Sequence, residues 1–215
     1  MTDLLRHTAQ ALSQALAGHQ PQSLESPGSR PAAVLMPLWE QEGRVQVVFT
    51  KRNATLPHHP GQISFPGGAA DPEDANLAET ALRETCEEIG VCQGLVEVTE
   101  RLDQVLTITN FLVTPYVGLV DPRAEFNPNP VEVERLVVVP LAKVLDRQSY
   151  QPRDVKWEGL TMRQVGLAHG GDIIWGATAR MLLNLLDALG DSAKAVAGVA
   201  GNGAQKAVDS RRSLV

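Results

Sequence analysis

The sequence predicts an α/β fold, and three observations carry that reading. β-Branched and apolar runs bounded by turn residues recur through residues 32–140. Amphipathic helical stripes stand before and after them, and a short acidic helix with its own start and stop signals interrupts them. A length of 215 residues suits one catalytic domain with a real core. We expect an N-terminal helix and loop over residues 1–29, the catalytic domain over residues 30–190 and a mobile tail over residues 191–215.

Taken in order, Leu4, Leu5, Ala9, Leu12 and Leu16 recur at helical spacing, which predicts a helix over residues 3–17, ended by Gly18 and packed on the domain edge. QPQSLESPGSRP has no periodicity and reads as a loop. Apolar runs at 32–39 and 44–50, joined by the polar Glu40-Gln41-Glu42-Gly43, predict an antiparallel hairpin. The next stretch leads across a Pro and His turn into Gly67-Gly68, where the lack of side chains lets the backbone approach an ion or a phosphate.

After the acidic helix, strands near 95–105 and 111–120 continue the sheet behind it. DPRAEFNPNP is a surface loop, and VEVERLVVVPLAKVL gives a strand and then a short helix after Pro140. Residues 157–169 predict a further strand or hairpin. Ile174, Ala177, Met181, Leu182, Leu185, Leu186 and Leu189 form the stripe of a buried-face helix over 175–189. From Asp191 the chain is small, polar and free of aromatic residues, too poor in apolar surface to fix itself.

The acidic helix is bounded at Leu77 to Ile89, by a capping box of Asn76 with Glu79 and by Gly90 as a left-handed stop. Ala78, Leu82, Cys86 and Ile89 share the face expected against the sheet, and Glu84, Glu87 and Glu88 fall opposite. Three like charges within about one turn repel one another, so the cluster needs open solvent or a cation. Hard oxygen donors select Mg²⁺ or Mn²⁺, which can also bridge substrate phosphates. A solvated acidic face is the competing reading. Arg52, ending a strand beside the glycine corner, is either an anion contact or a surface charge.

Net charge is −6, from 19 basic and 25 acidic residues, which argues against a nucleic-acid groove. A phosphate-bearing substrate must then be held by local Arg, Lys and metal. Two cysteines, Cys86 and Cys92, indicate no disulfide framework and suit a reducing compartment. No apolar run reaches transmembrane length, and the N-terminus is amphipathic, so we expect a soluble cytoplasmic protein without a membrane partner.

Residues 64–91 resemble the box of the Nudix hydrolases. Arg83-Glu84-Thr85-Cys86-Glu87-Glu88-Ile89-Gly90-Val91 fits its second half, with Thr85 in place of an aliphatic residue. In the first half, Asp74 stands where Glu is usual, and eight residues rather than seven separate it from Arg83. The stretch before the box is similar to the signature of the coenzyme A pyrophosphatase group, through Val48, Phe49, Thr50, Arg52, Gly61 and Phe65 to Gly68. Two positions depart from it: Asn53 replaces a small Ser or Ala, and Pro57 replaces an Arg, leaving His58 or His59 as nearby polar partners. IWGATARML resembles the segment that packs the last helix of that group on the sheet.

This resemblance, over residues 30–190, implies an α/β/α sandwich around a mixed sheet and a metal-dependent hydrolase of a pyrophosphate linkage. The implied substrate is coenzyme A or a derivative, cleaved to 3',5'-ADP and 4'-phosphopantetheine. It assigns Glu84, Glu87, Glu88 and the Gly68 carbonyl to Mg²⁺ or Mn²⁺, and Arg83 to orienting the carboxylates. We expect Arg52, His59, Gly67 and Gly68 at the substrate, with a solvated turn residue as the competing reading of His59, and the resemblance implies Glu132 as the general base, with Glu134 as competitor. An ADP-ribose or other nucleoside-diphosphate hydrolase is the rival within the class, a nucleotide-sensing module with a lapsed site the rival outside it. The partner is a small nucleotide-like molecule, with a homodimer left open.

Overall fold

The computed structural model describes residues 1–56, 59–157 and 159–201. Pro57, His58 and residues 202–215 of the expected tail lie outside the described residues. The chain opens with helix α1 (Asp3–Leu16), then the hairpin β1 (Arg30–Gln41) and β2 (Arg44–Arg52), then β3 (Ile63–Ser64) and β4 (Gly67–Ala69). Helix α2 (Leu77–Ile89) is followed by β5 (Val96–Arg101), β6 (Val105–Leu106), β7 (Phe111–Val120) and β8 (Val133–Pro140). Short α3 (Leu141–Val144) precedes β9 (Tyr150–Trp157), β10 (Leu160–His169) and β11 (Asp172–Ile174), and α4 (Gly176–Leu189) and α5 (Ala193–Gly201) complete it.

Eight strands form one mixed sheet. β1 pairs antiparallel with β2 and parallel with β7, while β8 flanks β2 and β5 flanks β7. The parallel pair explains why β1 is buried from Ala32 to Leu38 without alternation: a strand covered on both faces is apolar throughout. Its even positions, Ala32, Val34, Met36 and Leu38, join a core with Leu5, Leu12 and Leu16 of α1 and the stripe of α4. Its odd positions, Ala33 and Leu35, cluster with Ala81 of α2. Period-two side chains thus place helices on opposite faces, giving the expected α/β/α sandwich. β9, β10 and β11 form a separate antiparallel sheet.

Two expectations about the termini change. α1 is not an edge element, since its leucines are in the main core. The segment after Asp191 is not a tail from its start, because Ala193, Val196 and Ala200 of α5 are buried among the same residues and α5 packs on α1. Small residues carry little apolar area each, but at helical spacing they let two helices approach closely, which the composition alone did not disclose.

Helix α2 has the expected bounds. The Asn76 side chain accepts from the N–H groups of Ala78 (2.9 Å) and Glu79 (3.1 Å), and the Glu79 carboxylate reaches back to the Ala75 N–H at 3.0 Å. Gly90 closes it at φ 74°, donating to the Cys86 carbonyl at 3.0 Å.

Its facing differs from the expectation. The buried stripe centres on Ala81, Thr85 and Glu88, flanked by Leu82 and Ile89, and Cys86 is only half-buried. Two of the three central positions are polar, so apolar periodicity alone points about one position astray; the Thr85 hydroxyl is satisfied by the Ala81 carbonyl at 2.6 Å. Cys86 is also not free: it is disulfide-bonded to Cys92, six residues on, across the helix stop. Cysteine usage therefore no longer points to a reducing compartment. Among the described residues no helix is long and apolar enough to cross a membrane.

Val196 is 1 % exposed, so Val196→Ala should lower stability by about 1 to 2 kcal/mol through lost burial and an incompletely filled cavity. Urea denaturation measures this, and an unchanged midpoint would mean that α5 does not pack as described.

Candidate active site

The site forms where β2, the β3–β4 corner and α2 meet. Phe65 is buried and stacks on Phe49 of β2, centroids 4.9 Å apart, and the Pro66 carbonyl accepts from the Leu35 N–H at 2.9 Å. Those contacts fix the corner that presents Gly67 and Gly68. A Cβ at Gly67, whose φ is 151°, would collide with the Ala33 carbonyl oxygen. At Gly68 a Cβ would stand 2.5 Å from Cδ of Glu84. Close approach to the backbone therefore requires glycine at position 67, and the carboxylate of Glu84 lies against Gly68.

The three glutamates do not share one open face. Glu87 is 56 % exposed, Glu84 17 % and Glu88 only 4 %. Burial pushes the Glu88 carboxyl up to about 8, the charges of Glu132 and Glu84 add to the shift, and Arg52 and the Thr50 hydroxyl (3.4 Å) oppose it. Burial likewise raises Glu84, against the attraction of Arg83 and with the charges of Glu87 and Glu132 adding.

Arg83 is held in a fork. Its Nε and a terminal nitrogen donate to the two Asp74 oxygens at 2.9 and 3.1 Å. The other terminal nitrogen reaches Glu84 at 2.9 Å and Glu87 at 3.3 Å, and the terminal nitrogen on Asp74 also donates to the Ala69 carbonyl at 3.1 Å. Asp74 also accepts from Thr80 (2.8 Å) and from the Asp71 N–H (2.9 Å). These bonds, Arg83's first, hold its carboxyl well below the ordinary range and raise Arg83 in turn. The shortened side chain of Asp74 and the extra residue before the helix thus still deliver a carboxylate to Arg83, a role the sequence left unassigned.

Glu132 is half-buried, and its charge acts on both Glu84 and Glu88. Glu134 is exposed and pairs with Lys51 at 3.1 Å. The site therefore gathers Glu132 and leaves out Glu134. Arg52 ends β2 with its Nε buried and without a hydrogen-bond partner among the described residues. With His59, Gly67 and Gly68 it lines a cleft of about 1050 Å³.

Trp175, Arg180, Met181, Leu106 and Ile108 line the same cleft. Leu24, Leu106 and Ile108 are exposed there at 40, 47 and 79 %. A polar latch sets this lip: Asp103 accepts from the Gln22 N–H at 2.8 Å and contacts the His19 ring at 2.8 Å, and Gln104 accepts from the Leu24 N–H at 2.9 Å. The wall as such has no local signature in the sequence, because its residues come from α4, β6 and loops far apart in the chain.

Among the described residues no three His, Cys, Asp or Glu side chains close on one point as a finished ligand set. The donor chemistry nevertheless fits a hard divalent cation. The charge of Glu132 opposes ionisation of both Glu84 and Glu88, and that of Glu84 opposes ionisation of Glu88; a cation among them would relieve that repulsion.

A mixed sheet between helices, with an acidic cluster at a glycine corner that lines a cleft, defines the class of architecture. Residues 29–158 match the NUDIX domain family, and the chain belongs to it. The Nudix hydrolase NudL of Photorhabdus laumondii, itself uncharacterized, is 38 % identical over 160 residues, covering 74 % of this chain and 85 % of the relative. That of Cronobacter sakazakii is 36 % identical over 169 residues, covering 79 % and 88 %. Among solved structures, the C. elegans Ap4A hydrolase is 19 % identical with a TM-score of 0.45, over 51 % of this chain and 80 % of that one. The NUDIX domain of Shewanella oneidensis NrtR, complexed with ADP ribose, is 20 % identical with a TM-score of 0.44, over 67 % and 87 %.

The raised Glu88 carboxyl makes a signed prediction. The folded state keeps its proton up to about 8 while the unfolded chain loses it near the ordinary value of 4.5. Between those values the native state holds more protons, so stability falls as pH rises. In chelator, wild type should lose on the order of 4 kcal/mol between about pH 5 and about pH 8, most of it from Glu88, and Glu88→Gln should flatten the profile. Parallel pH profiles for the two proteins would contradict this.

Gly68→Ala should leave a folded protein with Glu84 displaced. Turnover should fall by roughly 10²-fold, as for a misplacement of about 1 Å at a reacting centre. Steady-state kinetics with circular dichroism as a folding control checks it.

Proposed function

We propose that this Nudix hydrolase cleaves the pyrophosphate linkage of coenzyme A or a derivative, releasing 3',5'-ADP and 4'-phosphopantetheine. The observation that carries the reading is the acidic cluster of Glu84, Glu88 and Glu132 next to Gly68 and Arg52, which themselves line a cleft of about 1050 Å³, roomier than a diphosphate alone needs. Its apolar lip suits an extended arm beyond the diphosphate.

In this reading Glu84, Glu88 and the Gly68 carbonyl hold Mg²⁺ or Mn²⁺, with Glu87 added from the solvent side. The cation supplies positive charge against the diphosphate. Arg83 fixes the direction of Glu84 through the fork anchored on Asp74. Arg52 offers its buried Nε, without a partner among the described residues, to a phosphate oxygen, the pairing its chemistry favours. Glu132 takes the proton of the attacking water, whose oxygen forms the new bond to phosphorus as the bridging P–O bond breaks. His59 and Gly67 complete the substrate wall.

Product identification by mass spectrometry from coenzyme A, ADP-ribose, NADH and dinucleoside polyphosphates with Mg²⁺ tests the assignment. Coenzyme A is expected to give the two named products at the highest kcat/KM. Faster cleavage of ADP-ribose would move the reading to the rival hydrolase, and no turnover of any substrate would leave a nucleotide-sensing module. Glu88→Gln should cut turnover on the order of 10³-fold with the fold retained, as when a preorganised charge-stabilising group is removed. Near-wild-type turnover at saturating Mg²⁺ would sink the metal assignment.

A further inference from the structure

We propose that Asn53 is a positioning residue that sets the place of the Glu132 carboxylate against Glu88. The inference rests on the reading that Glu132 accepts the proton, and it concerns how this chain holds that group.

Glu132 sits in a segment tied at two ends. One tie is the last turn of α2: the Asn127 N–H donates to the Ile89 carbonyl at 2.9 Å, and the Asn129 N–H to the Glu88 carbonyl at 2.8 Å. The segment is thus hung from the same residue whose carboxylate belongs to the site. The other tie is Asn53, directly after Arg52 at the end of β2. Its main-chain N–H donates to the Glu132 carbonyl at 2.8 Å, and its Nδ2 donates to the Pro130 carbonyl at 3.0 Å.

The orientation of the Asn53 amide is fixed by its surroundings. Oδ1 faces two donors, the Thr55 N–H at 3.1 Å and the Thr55 hydroxyl at 3.0 Å, while Nδ2 faces a carbonyl. Turning the amide over would set acceptor against acceptor and donor against donor. Between the ties the segment closes on itself, since the Asn129 carbonyl accepts from the N–H groups of Glu132 (3.1 Å) and Val133 (2.8 Å), and its side chain from Val131 (3.1 Å). A rigid unit held at both ends moves as a whole when one tie is cut. The Ser or Ala that the resemblance leads one to expect at position 53 is too short to reach Pro130 and would supply only the main-chain bond. Asn53 is therefore a departure with a structural use: the strand end that carries Arg52 also carries the fastening of Glu132.

The test uses Asn53→Ala, Asn53→Asp and Thr55→Val in the full chain. Asp keeps the acceptor toward Thr55 and loses the donor toward Pro130, so it separates the local turn from the tie. Hydrogen exchange of residues 129–133 should speed up in both Asn53 variants and stay unchanged in Thr55→Val. With coenzyme A and Mg²⁺, Asn53→Ala should lower kcat about tenfold with KM within about twofold, a loss suited to partial misplacement of a proton acceptor. In a Glu132→Gln background the same change should cost nothing more, because residues acting as one unit are non-additive. Unaltered exchange over 129–133 in Asn53→Ala overturns the proposal whatever the substrate. So does full additivity with Glu132→Gln. If Glu132→Gln alone leaves kcat intact, it is the role of Glu132 in the proposed reaction that fails, and the exchange data still decide the fastening.

Discussion

The seating of α2 on the sheet through Ala81, Thr85 and Glu88 is the constraint on which the remaining site geometry depends. A helix that packs by a stripe containing a carboxylate puts a charge where burial opposes it. β2 answers with Thr50 and Arg52, and the corner answers with glycine, which makes room for Glu84 one turn earlier. The loop bearing Glu132 hangs from the carbonyls at the end of the same helix. Displacing α2 would therefore move every carboxylate of the site together.

The outer side of the helix is treated in the opposite way. Arg83 and Asp74 form a two-bond pair whose members each favour the other's charged form, so Asp74 stays ionised where Glu88 resists ionisation. Environments that push carboxyl groups apart separate their roles: one anchors, and the others are, in the proposed reading, poised for a cation or a proton. Asp74 is the anchor, and through Arg83 it orients Glu84.

Much of this was legible in the chain. Asn76, Glu79 and Gly90 bounded α2, because capping chemistry is local and needs no tertiary information. The β1–β2 hairpin and the stripe of α4 followed from periodicity for the same reason. The facing of α2 was misread because Thr85 and Glu88 are buried although polar, and because Cys86, counted as core, is bonded to Cys92. Asp74 went unassigned since its reach to Arg83 depends on how the preceding loop folds. Glu132 was preferred to Glu134 on the resemblance alone; that Glu134 turns toward Lys51 is visible only in the fold. The cleft wall, assembled from α4, β6 and the latch between residues 22 and 104, has no local signature at all.

In the proposed reading, burial withholds the charge of Glu88 until a cation is present, and carboxyl-detected NMR titration of Glu88 tests this most directly. Without divalent cation the carboxyl should titrate near 8, and with Mg²⁺ its ionisation should move well below neutrality. Titration near the ordinary glutamate value of 4.5, with or without Mg²⁺, would contradict the account.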